Sequence, residues 1–293
     1  MNALLRAPNP RLCAPAILRH TSSITGRIDA YSCVEVTSDV SSFIADASRF
    51  SAELAASLAH WEAEGCKGVW LKVPTSAANL LPIAMNEHSF VPHHANASHI
   101  MLRRWLLDEQ PDTMPPPASH FVGCAGFVLN SKQELLVIQE KSGPAARANL
   151  WKLPGGLVAA GENLAEACVR EVQEETGLLT VFSCVASVVE SHHPMGPSRS
   201  GFSDLYHVCV LHCADAQETK PLQAQEAEIA AVRWMPVTDV LQIPFYNAAG
   251  VFGHALRAAL RCARGESNGL CNSNLPLLFR DGNCAVNAAA PGA

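Results

Sequence analysis

The sequence has no stretch approaching the ~20 uninterrupted apolar residues that a membrane-spanning helix needs, so no membrane segment is expected. It has no surplus of basic residues either. Lys and Arg total 21 against 27 Asp and Glu, a net charge of -6, which denies the chain a broad nucleic-acid surface and leaves a polyanion only a local site. The 11 cysteines include no CxxC pair, and only Cys209 and Cys213 stand close together. Thiols scattered in this way fit neither a zinc site nor a disulfide framework, and are expected as reduced, partly buried groups of an intracellular protein. No internal repeat is present. Acidic residues are missing before Asp29, where Arg6, Arg11, Arg19 and Arg27 mix with hydroxyl residues and no long apolar core follows. That composition excludes a secretory signal and is shared by organelle transit peptides and disordered basic leaders. Residues 1–27 are read as one of those two, which implies a mitochondrion or chloroplast in the first case and the cytoplasm in the second.

What is present is a chain of 293 residues, 48% hydrophobic, enough for one large domain or two ordinary ones. Residues 28–108 read as an α/β module. It has a short strand at 31–36, a helix at 50–64 with Leu54, Leu58 and Trp61 on one face, a buried strand at 68–73 and a helix at 77–87. Pro111, Pro115, Pro116 and Pro117 then favour an extended linker over 109–119. A second domain is expected over 120–262. Strands at 121–129 and 134–139 are joined by a turn at Asn130 and Ser131, and an extended segment covers 151–158. Further strands fall at 181–189, 205–211 and 231–235, with a helix at 248–262. From 263 onward Asn, Gly, Ser and Ala predominate, and a loose tail over 263–293 is expected.

Chemistry concentrates in residues 156–178, where Gly156, Glu162, Arg170, Glu171, Glu174, Glu175 and Gly177 stand at fixed offsets. Asn163 suits the N-cap of a helix and Gly177 the position just past its end. At about 100° of rotation per residue, Glu171, Glu174 and Glu175 fall within roughly a 100° arc one turn apart. Three like charges on one stripe destabilise an isolated helix. A hard divalent cation such as Mg²⁺ removes that repulsion, because it prefers oxygen ligands and bridges carboxylates to phosphates. Ala165, Val169 and Val172 occupy a separate stripe suited to packing on a sheet. An exposed acidic face is the plainer reading of a bare run of this kind. Here the run is not bare, since seven fixed residues at ~7% usage each recur by chance on the order of once in 10⁸ windows.

This pattern, Gx5Ex7REUxEExGU with U aliphatic, resembles the Nudix box at every defined position. The resemblance implies an α/β/α sandwich with a mixed sheet, in which the box forms loop, helix and loop. It also implies a Mg²⁺- or Mn²⁺-dependent hydrolase acting on a nucleoside diphosphate linked to another group. By the same resemblance Glu171, Glu174, Glu175 and the carbonyl of Gly155 would be metal ligands. Arg170 would orient the carboxylates, Glu162 would brace the loop from the outer shell, and Gly156 and Gly177 would serve through backbone shape. Family members recruit a further acidic residue from outside the box, for which Glu228 is the candidate with Glu226 behind it. Glu174 or Glu228 would accept the proton of the attacking water.

Gly68-Val-Trp-Leu-Lys-Val-Pro74, Phe90, His93-His94-Ala95 and Met101-Leu-Arg-Arg-Trp105 resemble the smaller α/β pre-Nudix module of a plant-type group that includes the animal antisense basic fibroblast growth factor protein. This resemblance implies ADP-ribose or NADH as first substrates. Decapping or sanitising activity on capped RNA or modified nucleotides, and a nucleotide-sensing regulatory module, stand as alternatives, and a homodimer is left open. One departure is visible: Leu153-Pro-Gly-Gly156 lacks the threonine that many of that group carry before the last glycine. Pro194, sixteen residues after the box, resembles a feature of ADP-ribose pyrophosphatases and equally suits a loop with Gly196 and Pro197. His93 and His94 are expected to pack within the first module, His192 and His193 fall near the expected cleft, and Trp151 reads as a packing residue.

Overall fold

A computed structural model describes residues 22–192, 201–214, 217–247, 250–276 and 283–289. The first 21 residues of the leader, His193 and Pro194 lie outside them. The chain divides into two compact units, Met1–Ala118 and Ser119–Ala293. No helix among the described residues is long and apolar enough to cross a membrane.

The first unit contains β1 (Gly26–Ile28), β2 (Cys33–Val36), α1 (Ala47–Ala63), β3 (Gly68–Pro74), α2 (Leu81–Asn86), β4 (Val91–Ala95) and β5 (His99–Trp105). Its sheet runs β1-β2-β3-β5-β4. Only β2 and β3 pair in parallel, and α1 supplies the crossover that a parallel pair requires. Asp46 caps α1 by accepting from the Arg49 N–H at 2.9 Å, and Phe50, Leu54, Leu58 and Trp61 go into the core. The helix expected over 77–87 divides into a 3₁₀ turn, Thr75–Leu80, and α2. Pro82 in the first turn of α2 explains the break, since proline cannot donate within a continuing helix.

The second unit contains β6 (His120–Val128), β7 (Glu134–Glu140), α3 (Gly143–Arg147), α4 (Leu164–Thr176), β8 (Thr180–Ser191), β9 (Ser203–Cys213), β10 (Ile229–Pro236), α5 (Val237–Val240), α6 (Pro244–Asn247), α7 (Val251–Ala263), β11 (Leu270–Pro276) and β12 (Asn283–Ala289). The main sheet runs β12-β11-β8-β9-β6, with β6 and β9 parallel and the other pairs antiparallel. Side chains alternate across it. Cys124 and Val128 of β6, with Cys209 and Leu211 of β9, pack with Ala167, Cys168 and Val172 of α4. Ala125, Phe127, Val208 and Val210 point the other way and pack with Ala255, Leu256 and Ala259 of α7. A mixed sheet with a helix on each face is the α/β/α sandwich that the box implies.

Two details depart from the sequence reading. The turn at Asn130 forms, with the Asn130 side chain accepting from the N–H groups of Lys132 and Glu134, yet β6 and β7 share only the bridge Leu129–Leu135. Strand β7 then pairs with β10. Its run Leu135, Leu136, Val137 and Ile138 is buried on both faces, a requirement that alternation on one sheet face does not meet. After Ala263, where a loose tail is expected, β11 and β12 form a hairpin added to β8 through Leu270–Val185 and Cys271–Cys184. Main-chain pairing needs no apolar period, which is why this segment gives no strand signal in the sequence.

Candidate active site

Helix α4 is fixed at both ends by its own sequence. Asn163 and Glu166 form a capping box, the Asn163 N–H donating to Glu166 Oε2 at 3.3 Å. Gly177 ends the helix in the left-handed conformation, φ +72°, and its N–H donates to the Gln173 carbonyl at 2.8 Å. The buried stripe comprises Ala167, Cys168 and Val172. Ala165 and Val169 are only half-buried, so the packing face is rotated slightly from the expected one.

Rotating the helix this way leaves Arg170 at the centre of the carboxylates. Its Nε and Nη2 donate to the two oxygens of Glu162 at 2.7 and 2.9 Å. Its Nη1 donates to Glu171 Oε1 at 2.8 Å and Glu174 Oε2 at 3.1 Å, and Nη2 also reaches the Leu157 carbonyl at 3.2 Å. A planar guanidinium has the fork geometry for such bonding. Glu162 accepts from the Ala159 N–H as well, at 2.9 Å. The Arg170 bonds, followed by this one, hold its carboxyl down at about 2. The same bonds raise Arg170 further above its ordinary value.

Glu175 has the opposite environment. It is 6% exposed and accepts from the Gly155 N–H at 2.7 Å. Burial pushes its carboxyl up to about 7, against the lowering effects of that bond and of Lys152. The loop before α4 must pass very close to strand and helix. A Cβ at Gly155 would lie 2.1 Å from the Cys124 carbonyl oxygen, and one at Gly156 would lie 2.7 Å from the Glu171 carboxylate. Only glycine allows both approaches.

This loop forms one wall of a cavity of about 610 Å³ within the second unit, a size typical of small-molecule sites. Gly123, Gly155, Gly156 and Leu157 line it beside the box. Glu140 and Lys152, paired as an ion pair, line it too. Tyr206, Phe245, Tyr246 and Phe252 add aromatic side chains to the lining. Burial pushes the Tyr206 and Tyr246 phenols up, so both stay un-ionised.

The structure thus brings Glu162, Arg170, Glu171, Glu174, Glu175, Gly155 and Gly156 together, with Gly177 closing the helix behind them. Among the described residues, no three His, Cys, Asp or Glu side chains are placed to hold a metal ion as they stand. The reason lies in the pairing: Arg170 engages Glu171 and Glu174, while Glu175 is turned to the Gly155 N–H. The donor set is nonetheless all oxygen, the chemistry that Mg²⁺ and Mn²⁺ favour.

Other expected residues lie apart from this group. Glu228 and Glu226 are exposed and do not line the cavity; their main-chain carbonyls accept from the N–H and Nζ of Lys141. His93 and His94 belong to the first unit, with Nδ1 atoms 2.6 Å apart and the Trp70 ring edge-on to His93. His192 Nδ1 lies 3.0 Å from Ser203 Oγ. The Arg233 guanidinium lies 4.1 Å from the centre of the Trp151 ring, which suits a packing role. Sequence reasoning missed Glu140, Lys152 and the aromatic wall. Lys152 carried a faint signal, a cation between Trp151 and buried Leu153 in an extended segment. The aromatics, which follow the loop only after strands β8 and β9 have begun, carried none.

Comparison with known proteins agrees with this arrangement. A profile described as NUDIX domain matches residues 119–256, and one described as Nudix hydrolase domain matches residues 24–106. Nudix hydrolase 5 of Arabidopsis thaliana is 38% identical over 201 residues, covering 69% of this chain and 64% of that protein. Human nucleoside diphosphate-linked moiety X motif 6 is 37% identical over 200 residues, covering 67% of this chain and 58% of the human protein. The chain thus spans less than two thirds of either relative. Nudix hydrolase 2 of Arabidopsis thaliana is 40% identical over 200 residues, 68% of each chain. Identity at that level over more than two thirds of a relative, on a chain with an intact box, means that the protein belongs to the Nudix hydrolase family.

Proposed function

We propose that the protein is a metal-dependent pyrophosphohydrolase that cleaves the diphosphate bond of a nucleoside diphosphate derivative, with ADP-ribose and NADH as the first substrates to test. The observation that carries this reading is the Arg170-centred carboxylate group beside a cavity walled by the Gly155 and Gly156 backbone. Glu171, Glu174, Glu175 and the Gly155 carbonyl would hold Mg²⁺ or Mn²⁺, which when bound supplies charge neutralisation at the phosphates and an acidified water.

The chain's own residues do the rest. Arg170 balances the carboxylates and, through Glu162, ties the loop to α4. Lys152 brings a cation to the cavity wall near Gly155, where a phosphate oxygen could exchange with Glu140 as its partner. Attack of water at phosphorus releases a nucleoside monophosphate and a phosphorylated remainder. Glu174, the most exposed of the three helix carboxylates, is the group best placed to take the proton. Glu228 is less suited, because Glu174 is held in the carboxylate group by Arg170, whereas the bond that Glu228 makes is through its main-chain carbonyl, to the Lys141 N–H.

The test is incubation with Mg²⁺ and a panel of ADP-ribose, NADH, capped RNA and oxidised nucleotides, with products identified. AMP from ADP-ribose or NADH is the expected outcome. Turnover confined to capped RNA or oxidised nucleotides would replace the substrate assignment, and nucleotide binding without turnover would make the protein a sensing module.

A further inference from the structure

The loop that carries Gly155 is held by its main chain on several sides. Towards β7, Lys152 donates its N–H to the Ile138 carbonyl at 3.0 Å and accepts from the Ile138 N–H at 2.9 Å. Towards β6, the Pro154 and Gly156 carbonyls accept from the N–H groups of Gly126 and Cys124, both at 2.9 Å. Towards α4, the Gly155 N–H donates to Glu175 at 2.7 Å. The Leu153 N–H takes part in none of these bonds. Leu153 is 4% exposed, and a buried N–H left without an acceptor is costly. Its acceptor is the phenol oxygen of Tyr246, on α6.

Tyr246 is buried too, in the core cluster that contains Leu153, Ala125 and Val208. Its helix is anchored independently of the loop, the N–H groups of Tyr246 and Asn247 both donating to the Ile243 carbonyl, at 2.8 and 2.9 Å. The peptide unit between Lys152 and Leu153 is planar and trans, so its C=O and N–H point in opposite directions. The C=O is bonded to β7 and the N–H to α6, which clamps the plane from both sides. Gly155 follows two residues later, where a Cβ would lie 2.1 Å from the Cys124 carbonyl oxygen. With so little room towards β6, any turn of the clamped plane is passed along the chain to the Gly155 carbonyl.

We infer that Tyr246 is a positioning residue of this site: its phenol oxygen fixes the peptide between Lys152 and Leu153, and through it the place of the Gly155 carbonyl and N–H. The inference rests on the proposed function in taking the Gly155 carbonyl as a ligand of Mg²⁺ or Mn²⁺. Tyr246 acts through Leu153 and holds no metal itself. Groups that hold a metal's ligands in place commonly govern its affinity by 10- to 100-fold. Without the phenol oxygen the peptide is bonded to β7 alone, the loop samples other positions, and the metal is held less tightly.

The test uses the full chain and two variants. Tyr246→Phe keeps the ring and removes the one oxygen. Leu260→Ala, at a half-buried position of α7 packed against the same cluster, controls for a general loss of stability. In the metal-free protein, hydrogen exchange read by NMR should show the Leu153 and Gly155 amides exchanging at least tenfold faster in Tyr246→Phe, relative to the core amides of β6 and β9. In Leu260→Ala their protection should fall only in step with those core amides. Mn²⁺ titration followed by electron paramagnetic resonance should give about tenfold weaker binding in Tyr246→Phe, ~1.4 kcal/mol, and wild-type affinity in Leu260→Ala. The anchor is overturned by loop amides that keep their protection in Tyr246→Phe, or that lose it to the same extent in the control. Unchanged Mn²⁺ affinity despite faster exchange overturns the positioning role and keeps the metal reading. A wild-type protein that binds no Mn²⁺, with Leu153 protection still dependent on Tyr246, removes the metal from the proposed function and leaves the anchor standing.

Discussion

The substitution Glu175→Gln should make the metal-free protein more stable above neutral pH while destroying its activity. Glu175 is 6% exposed and burial raises its carboxyl from the usual 4.5 to about 7, with Glu171 and Glu140 adding repulsion and Lys152 and the Gly155 N–H opposing it. A carboxyl raised in the folded state binds its proton there more tightly than in the unfolded chain. Stability is then unaffected below pH 4.5, falls as pH rises from 4.5 towards 7, and levels off above that. At ~1.4 kcal/mol per pH unit the gap amounts to ~3 kcal/mol. Glutamine keeps an oxygen to accept from the Gly155 N–H and carries no charge, so it escapes this loss. Urea denaturation in EDTA at pH 4 and pH 8, read by hydrogen exchange of the second-unit amides, should show the two proteins equal within a few tenths at the lower pH. At the higher pH the variant should lead by ~3 kcal/mol. Adding Mg²⁺ at pH 8 should stabilise the wild type selectively. A stability difference that does not change with pH, or a wild type that gains on the variant as pH rises, would refute the claim that burial dominates this carboxyl.

Other outcomes follow from the same geometry. Glu174→Gln should reduce turnover by at least a hundredfold while circular dichroism and the melting temperature stay near wild type, because Glu174 is exposed; undiminished rate would remove its assigned role. Gly155→Ala drives a methyl onto the Cys124 carbonyl and should cost about 1–3 kcal/mol in chemical denaturation, along with most activity; a neutral result would mean the loop moves freely. Acid should release the Arg170 bracket. With its carboxyl held down at about 2 against a usual 4.5, Glu162 contributes stability above pH 4.5 that is lost as pH falls towards 2, and Glu162→Gln should flatten that part of the acid denaturation curve.

The parts of the molecule that were legible beforehand are those governed by neighbours in sequence. Asn163, Glu166 and Gly177 mark the ends of α4 through capping rules that act within four residues, and the spacing of Glu171, Glu174 and Glu175 settles their shared face. Strands β6, β8 and β9 of the main sheet announced themselves by apolar runs, and α1 by Leu54, Leu58 and Trp61, whereas β11 and β12 did not. Long-range placement was not legible. Nothing in residues 134–140 says that β7 leaves β6 for β10, and nothing marks Glu140 as a cavity residue while exposed Glu228 lies off the wall. The slight rotation of the packing face of α4 depends on which side chains of β6 and β9 it meets, a fact of the assembled sheet.

The sheet of the second unit also acts as a partition. On one side lies α4, which carries the residues assigned to bond cleavage, and on the other lies α7, whose first turn helps to line the cavity. Because neighbouring residues of β6 and β9 serve opposite sides, exchanges on α7 can resize or repaint the pocket without disturbing what seats the acidic helix. Selectivity can then drift across evolution, or be redesigned in the laboratory, while the cleaving apparatus is inherited whole.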